Sequence, residues 1–264
     1  MSDKFWLIII SIVIAIVYFI DYRFDKANMP SEDLISLIKS RGYIIVGVKA
    51  DTRPFGYIEN GKNVGFDVDI AKHIAKDILH DSTKIKFVQV TPANRLYELN
   101  AENVDMVIAT ITISAERSSI VNFSKPYFVA GQAVLVRNGS SIKTLADLEN
   151  KTIGVLYGST AEKNIHSLLP SANILGYKTY NEAYNALKAG RIVAITSDDT
   201  ILRHYAITDP SVKLLPKRYT KELYAVAIRK DSASQGLLKL VNMNITNMLN
   251  DGTLKSLQRK WKLN

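Results

Sequence analysis

Short β-branched runs alternate with segments of helical spacing along most of this chain, and they do so in two series. That alternation constrains the fold more than any other feature. Strands that are each followed by a helix pair in parallel and need cover on both faces. In the first series Tyr43–Lys49, Ile85–Val90 and Val104–Ala109 read as strands. Phe55–Ile58 and Asn63–Phe66 flank Asn60-Gly61, a two-residue turn signal for a hairpin. The run GFDVDIAKHIAKDIL then places Ala71, Ile74, Ala75, Ile78 and Leu79 at helical spacing. Asp67 or Asp69 is expected to cap that helix rather than to form a catalytic pair.

The second series opens at Gln132–Arg137. Leu145–Leu148 reads as a short helical turn and Thr152–Val155 as a strand, and Gly158-Ser159-Thr160 leads into a helix through Leu169. A strand at Ile174–Tyr177, a helix at Glu182–Ala189 and a strand at Ile192–Thr196 follow. The last of these ends in Ser197-Asp198-Asp199. Tyr224–Arg229 reads as a further strand, and two amphipathic helices, Gln235–Asn250 and Thr253–Lys260, close the chain. A chain of 264 residues can form two lobes of ordinary size. The passes near Val129–Gln132 and Lys221–Tyr224 would join them, and ligands favour such interlobe clefts.

Polar residues fall just beyond the carboxyl ends of these strands. Lys49, the turn Thr91-Pro92-Ala93-Asn94-Arg95, and Thr110 with Thr112 would share one rim of a parallel sheet, where open α/β folds bind ligands. In Ala109–Tyr127 (ATITISAERSSIVNFSKPY) a buried run gives way to alternating hydroxyls and then Arg117. Hydroxyls and backbone N–H groups can orient a carboxylate while a planar guanidinium grips both of its oxygens.

The 34 Lys+Arg against 25 Asp+Glu leave a net charge of +9 spread along the chain, without the basic stripe or module that nucleic acid would require. A diffuse positive field instead speeds the capture of small anions. Cysteine is absent, which excludes a disulfide framework, a Cys-based zinc site and a thiol nucleophile. The four histidines are scattered, and no metalloprotease, P-loop, nucleophile-elbow or dinucleotide motif occurs. No catalytic residue, metal or cofactor is expected.

At the amino terminus Phe5–Ile20 carries no charge over 16 residues and is bounded by Lys4 and Asp21. Its length lies between a signal-peptide core and a full membrane span, and Trp6, Tyr18 and Tyr22 suit bilayer interfaces. No small-x-small cleavage site follows. The segment reads as a hydrophobic helix that acts as an export signal and stays as an anchor, with cleavage as the alternative. Residues 1–30 would then form signal and tether, residues 31–130 and 223–264 the first lobe, and residues 131–222 the second.

GFDVDIAKHIAKDI with its preceding hairpin, TITISAERSSIVNFSKPY, LADLENKTIGVLYGST and AGRIVAITSDD together resemble motifs of the extracytoplasmic solute-binding proteins of polar amino-acid ABC transporters, in the same order. The resemblance covers essentially everything after Pro30. It implies an α/β, two-lobed periplasmic-binding-protein-like fold of type II, with two crossover strands, closing on one amino acid for delivery to a membrane permease. The protein would act outside the cytoplasm, as a monomer. By the same resemblance Arg117 grips the ligand α-carboxylate, and Thr112 with Thr110 holds its backbone groups. Ser159 and Thr160 close on the carboxylate from the other lobe, and Asp198, or Asp199 in its place, receives the α-ammonium.

The turn TPANR resembles the glutamate/aspartate branch, in which Arg95 would face a side-chain carboxylate, with Lys49 beside it and Tyr180 as a further candidate. Lys49, Arg95 and Arg117 against Asp198 leave a pocket of about +2, which suits an acidic amino acid. The expectation is therefore a glutamate or aspartate receptor. The alternatives are a receptor for a neutral polar amino acid such as glutamine, or a lyase (dehydratase) on the same fold, since fold does not decide function.

Overall fold

The computed structural model describes Ile16 and residues 33–263. Apart from Ile16, the apolar segment expected to be an N-terminal helix and anchor lies outside the described residues. No helix among those described is long and apolar enough to cross a membrane.

The chain begins with α1 (Leu34–Arg41), β1 (Ile44–Val48) and the small sheet of β2 (Asp51–Thr52), β3 (Gly56–Glu59) and β4 (Lys62–Val64). Next come α2 (Phe66–Leu79), β5 (Ile85–Gln89), α3 (Arg95–Asn100), β6 (Met106–Val107), α4 (Ala115–Ile120), β7 (Val121–Phe123) and β8 (Phe128–Ala130). The second half runs through β9 (Gln132–Arg137), β10 (Thr152–Leu156), α5 (Thr160–Leu168), β11 (Asn173–Tyr177), α6 (Tyr180–Lys188), β12 (Ala194–Asp198), α7 (Asp199–Thr208) and β13 (Val212–Leu214). It ends with β14 (Glu222–Tyr224), β15 (Ala227–Arg229), α8 (Gln235–Asn250) and α9 (Thr253–Lys260).

Two five-stranded sheets result, ordered β5-β1-β6-β15-β7 and β11-β10-β12-β9-β13. In the first, β1 pairs in parallel with β5 and β6, while β15 runs antiparallel between β6 and β7. In the second, β10 pairs in parallel with β11 and β12, and β9 runs antiparallel to β12 and β13. Each sheet carries one lobe. Chain passes between them as β8 and β14, which pair antiparallel with Val129 opposite Leu223. Phe55, Phe128 and Tyr224 pack edge to face beneath this two-stranded crossing, with ring centroids 5.3 and 5.4 Å from Phe55.

Several expectations shift by physical cause. The expected strand Tyr224–Arg229 is two strands in different sheets, since Tyr224 pairs with Phe128 and Ala227 with Val107 and Phe123. Val104–Ala109 contributes only Met106–Val107 to the ladder, and Val121–Phe123, for which no strand is expected, is one. Neither Asp67 nor Asp69 caps α2. The cap position is Gly65, at φ +132, where an added Cβ would lie 2.1 Å from the Phe55 carbonyl oxygen. Asp67 in the first turn instead accepts the Thr110 N–H (2.9 Å) and the Tyr127 hydroxyl (2.9 Å). Asp69 accepts from Lys260 Nζ (2.7 Å) and Trp261 Nε1 (2.8 Å).

Candidate functional site

Arg95 enters the interior because the turn before it is fixed locally. Asn94 Oδ1 accepts the Thr91 N–H (2.7 Å) and the Thr91 hydroxyl (3.0 Å), and α3 starts at Arg95. Arg95 is 2% exposed; its Nη1 donates to the carbonyls of Ala109 (2.6 Å) and Thr110 (3.1 Å), and Nε is buried without a partner. Burial, and then the neighbouring Arg117, lower its pKa to about 9, while Tyr180, Tyr224 and Asp198 act in the opposite sense. The same neighbours thus place Arg95, Arg117, Asp198, Tyr180 and Tyr224 around one point.

The chain after β6 is shaped to present carbonyls and hydroxyls there. Thr110 sits at φ +46, a conformation rare for a β-branched residue, and its N–H is held by buried Asp67. Burial raises the Asp67 pKa to about 6, against hydrogen bonds from Thr110 and Tyr127. Thr112 bridges to Tyr224 of β14, and its carbonyl accepts Arg117 Nη1 (2.9 Å). Ser114 caps the short helix that carries Arg117. Arg117 Nη2 reaches across the cleft to the Gly158 carbonyl at 3.0 Å. Burial lowers the Arg117 pKa, with Glu222 and Asp198 opposing it.

From the second lobe, Ser159 caps α5 by accepting the Glu162 N–H (3.3 Å). The Thr160 hydroxyl donates to Glu222 Oε2 (3.0 Å). Both hydroxyls expected to close on a carboxylate are therefore engaged with the protein in this arrangement, although their helix N-terminus faces the cleft mouth. That mouth is a cavity of about 560 Å³ lined by Arg117, Ser159 and Thr160 with Pro92, Ala93 and Lys163 among others.

Asp198 and Asp199 separate cleanly. Asp199 accepts the Gly131 N–H (3.2 Å) and is ion-paired with Arg218 and with Arg203 (3.5 Å). Asp198 stands at the N-cap position of α7 yet makes no side-chain cap bond, and accepts the Tyr224 hydroxyl instead. Burial raises its pKa to about 7; the Tyr224 bond and Arg95 lower it, and Glu222 and Asp199 raise it further. Tyr180 bonds Ser197 Oγ at 2.7 Å. Lys49 is 1% exposed, its charge resisted by burial but compensated by Asp51 at 3.0 Å.

Four residues outside the expected set thus belong to the surroundings of the site: Asp51, Asp67, Glu222 and Tyr224. Glu222, on the crossing strand, binds Thr160, Asn164 Nδ2 (2.9 Å) and the Thr220 hydroxyl (2.7 Å). Asp51 had a signal in its spacing from Lys49, two residues along an extended segment. Among the described residues no cluster of His, Asp or Glu is arranged to hold a metal ion.

Residues 44–264 match the family described as bacterial extracellular solute-binding proteins, family 3. The chain belongs to that family. Proteins similar to it include the ABC transporter glutamine-binding protein GlnH of Bacillus subtilis. The two are 39% identical over 240 residues, covering 90% of this chain and 87% of the relative. A glutamine-binding protein of Geobacillus stearothermophilus is 42% identical over 198 residues, 74% of this chain and 76% of that one. Among solved structures, the ancestral amino acid-binding protein AncCDT-1, described as a precursor of cyclohexadienyl dehydratase, superposes with a TM-score of 0.80 at 33% identity. It covers 87% of this chain and 99% of its own. Family 3 membership and this likeness agree with the two-lobed fold expected from the motifs.

Proposed function

We propose that this chain is the amino-acid receptor of an ABC transporter and that its ligand is glutamine. In this reading Arg117, Thr110 and Thr112 take the α-carboxylate and backbone groups, and Asp198 takes the α-ammonium. The N-terminus of α5 at Ser159 and Thr160 closes over the carboxylate. The loaded monomer is handed to a membrane permease, and residues 5–20 tether it to the outer face of the membrane.

The observation that carries the choice of ligand is the state of the two side-chain cations. Lys49 already has Asp51 at 3.0 Å, Arg95 donates to two carbonyls, and Glu222 acts on Arg117. A count of Lys49, Arg95 and Arg117 against Asp198 alone omits these acids. With them included, no surplus charge of about +2 remains for a second ligand carboxylate, and a neutral side chain leaves no buried cation uncompensated. The two glutamine-binding relatives support the same choice. The lyase alternative has little support, since these relatives are named as binding proteins and the similar ancestral structure is itself described as amino acid-binding.

Calorimetric titration with glutamine, glutamate, aspartate, cystine and arginine tests the reading. Glutamine is expected to bind at least about tenfold more tightly than glutamate, a difference of about 1.4 kcal/mol. Equal or tighter binding of glutamate overturns it, and turnover of a carboxylated cyclic acid overturns the receptor assignment.

A further inference from the structure

Asp51 is placed unlike any other acid near the cleft. It lies in β2, the edge strand of the small sheet, two residues beyond Lys49. Its Oδ1 takes both recorded contacts, Lys49 Nζ at 3.0 Å and the hydroxyl of fully buried Thr52 at 2.9 Å. Two donors on one oxygen fix the carboxylate plane. Among the described residues no donor meets the other oxygen, and the side chain keeps 22% of its surface exposed. Across the cleft, Asp51 bears electrostatically on Tyr180 and Tyr205 of the second lobe. Strand β2 packs against α6 of the second lobe, so Asp51 sits between the lobes, beside Lys49.

We infer that Asp51 is the specificity-determining residue of this site, selecting a carboxamide side chain over a carboxylate. The inference rests on the glutamine reading above. A ligand amide offers two N–H donors, one of which the open Asp51 oxygen can accept, and a carbonyl that Lys49 can reach. A ligand carboxylate offers no proton and sets like charges together in a partly dry site. Asp51 also keeps Lys49 neutralised, so the lysine is not free to attract an anion.

Replacing the acid by its own amide separates these roles. In Asp51→Asn the shape is kept, the negative charge is lost and Lys49 is released. The ratio of glutamate to glutamine dissociation constants is the readout, because a general folding defect weakens both ligands and leaves it unmoved. The expected result is a shift of that ratio towards glutamate by about tenfold or more, the usual size of one hydrogen bond to a charged group. Asp51→Glu, which keeps the charge, should hold the preference for glutamine. If wild-type protein prefers glutamine and Asp51→Asn leaves the ratio unchanged, the role of Asp51 is overturned and the glutamine reading stands. If wild-type protein does not prefer glutamine, the reading beneath it has failed. Measuring the Lys49→Met ratio guards against an unstable Asn variant: removing the cation should leave glutamine preferred, and a swing to glutamate would refute the pairing.

Discussion

Asp198 shows how one buried side chain can set the conditions of capture. Burial holds its pKa near 7, so the ligand-free protein carries a largely protonated carboxyl below neutrality. The sign follows from linkage: an acid whose pKa is raised on folding makes the folded state lose stability as pH climbs from its unfolded value to about 7. An ammonium needs the ionised form, so binding releases a proton below that point. Affinity is then expected to rise about tenfold per pH unit up to neutrality and to level off above it. Tyr224→Phe removes a hydrogen bond that favours the carboxylate, and calorimetry between pH 5.5 and 8.5 should show the midpoint moved upward. A pH-independent affinity in wild-type protein would refute this role. Arg117, Asp198, Thr112 and Arg95 stand out in the sequence because their spacing matches a motif or a strand end, and their roles toward a ligand belong to the proposal above. Asp51 carried a local signal, its i,i+2 spacing from Lys49, whereas Tyr224 carried none, since its bond to Asp198 joins strands 26 residues apart.

At the level of elements, most strands and helices declared themselves through periodicity, and the exceptions share a cause. Strand β6 stops at Val107 because the next residues turn their carbonyls towards Arg95, and Thr110 takes a positive φ to do so. The run before it is apolar on both faces, which hides where pairing ends. Helix α7 begins at Asp199 directly after β12, with Asp198 at its N-cap position but making no capping side-chain bond. Helix α2 illustrates the opposite case, where the helix was plain but the role of its first-turn acid was not. Asp67 ties α2 to Thr110 and to Tyr127 ahead of β8. Asp67→Ala would strand a buried N–H and a buried hydroxyl, each costing about 1–3 kcal/mol, so a loss of about 2–6 kcal/mol is expected in urea unfolding. Weakened ligand binding should accompany it as Thr110 relaxes. A loss below about 1 kcal/mol would mean that water replaces the carboxylate with little penalty.

The whole molecule is seen with its lobes in contact, and the contacts identify what closure must achieve. Gly158 lies at the turn before α5, and a Cβ there would come within 2.8 Å of Ala93 Cα and the Pro92 carbonyl oxygen in the opposite lobe. Its own carbonyl accepts Arg117 Nη2. Beside it Lys163 and Glu116 form an exposed ion pair at 2.9 Å. Exposed pairs of this kind contribute at most about 1 kcal/mol, so Lys163→Met should weaken binding by no more than about fivefold. Gly158→Ala acts differently, because the clash is with backbone and cannot be relieved by a side-chain rotation. Its positive φ of +74 adds a local cost of about 1–2 kcal/mol, seen as a drop of about 2–8 °C in the ligand-free melting temperature. Beyond that local cost, the lobes should fail to seat. Small-angle scattering with saturating ligand is expected to show the radius of gyration of the open form, and affinity should fall by about a hundredfold. A variant that compacts on ligand and binds as tightly as wild type would show that closure does not run through the Gly158 contact, and that capture is completed within one lobe.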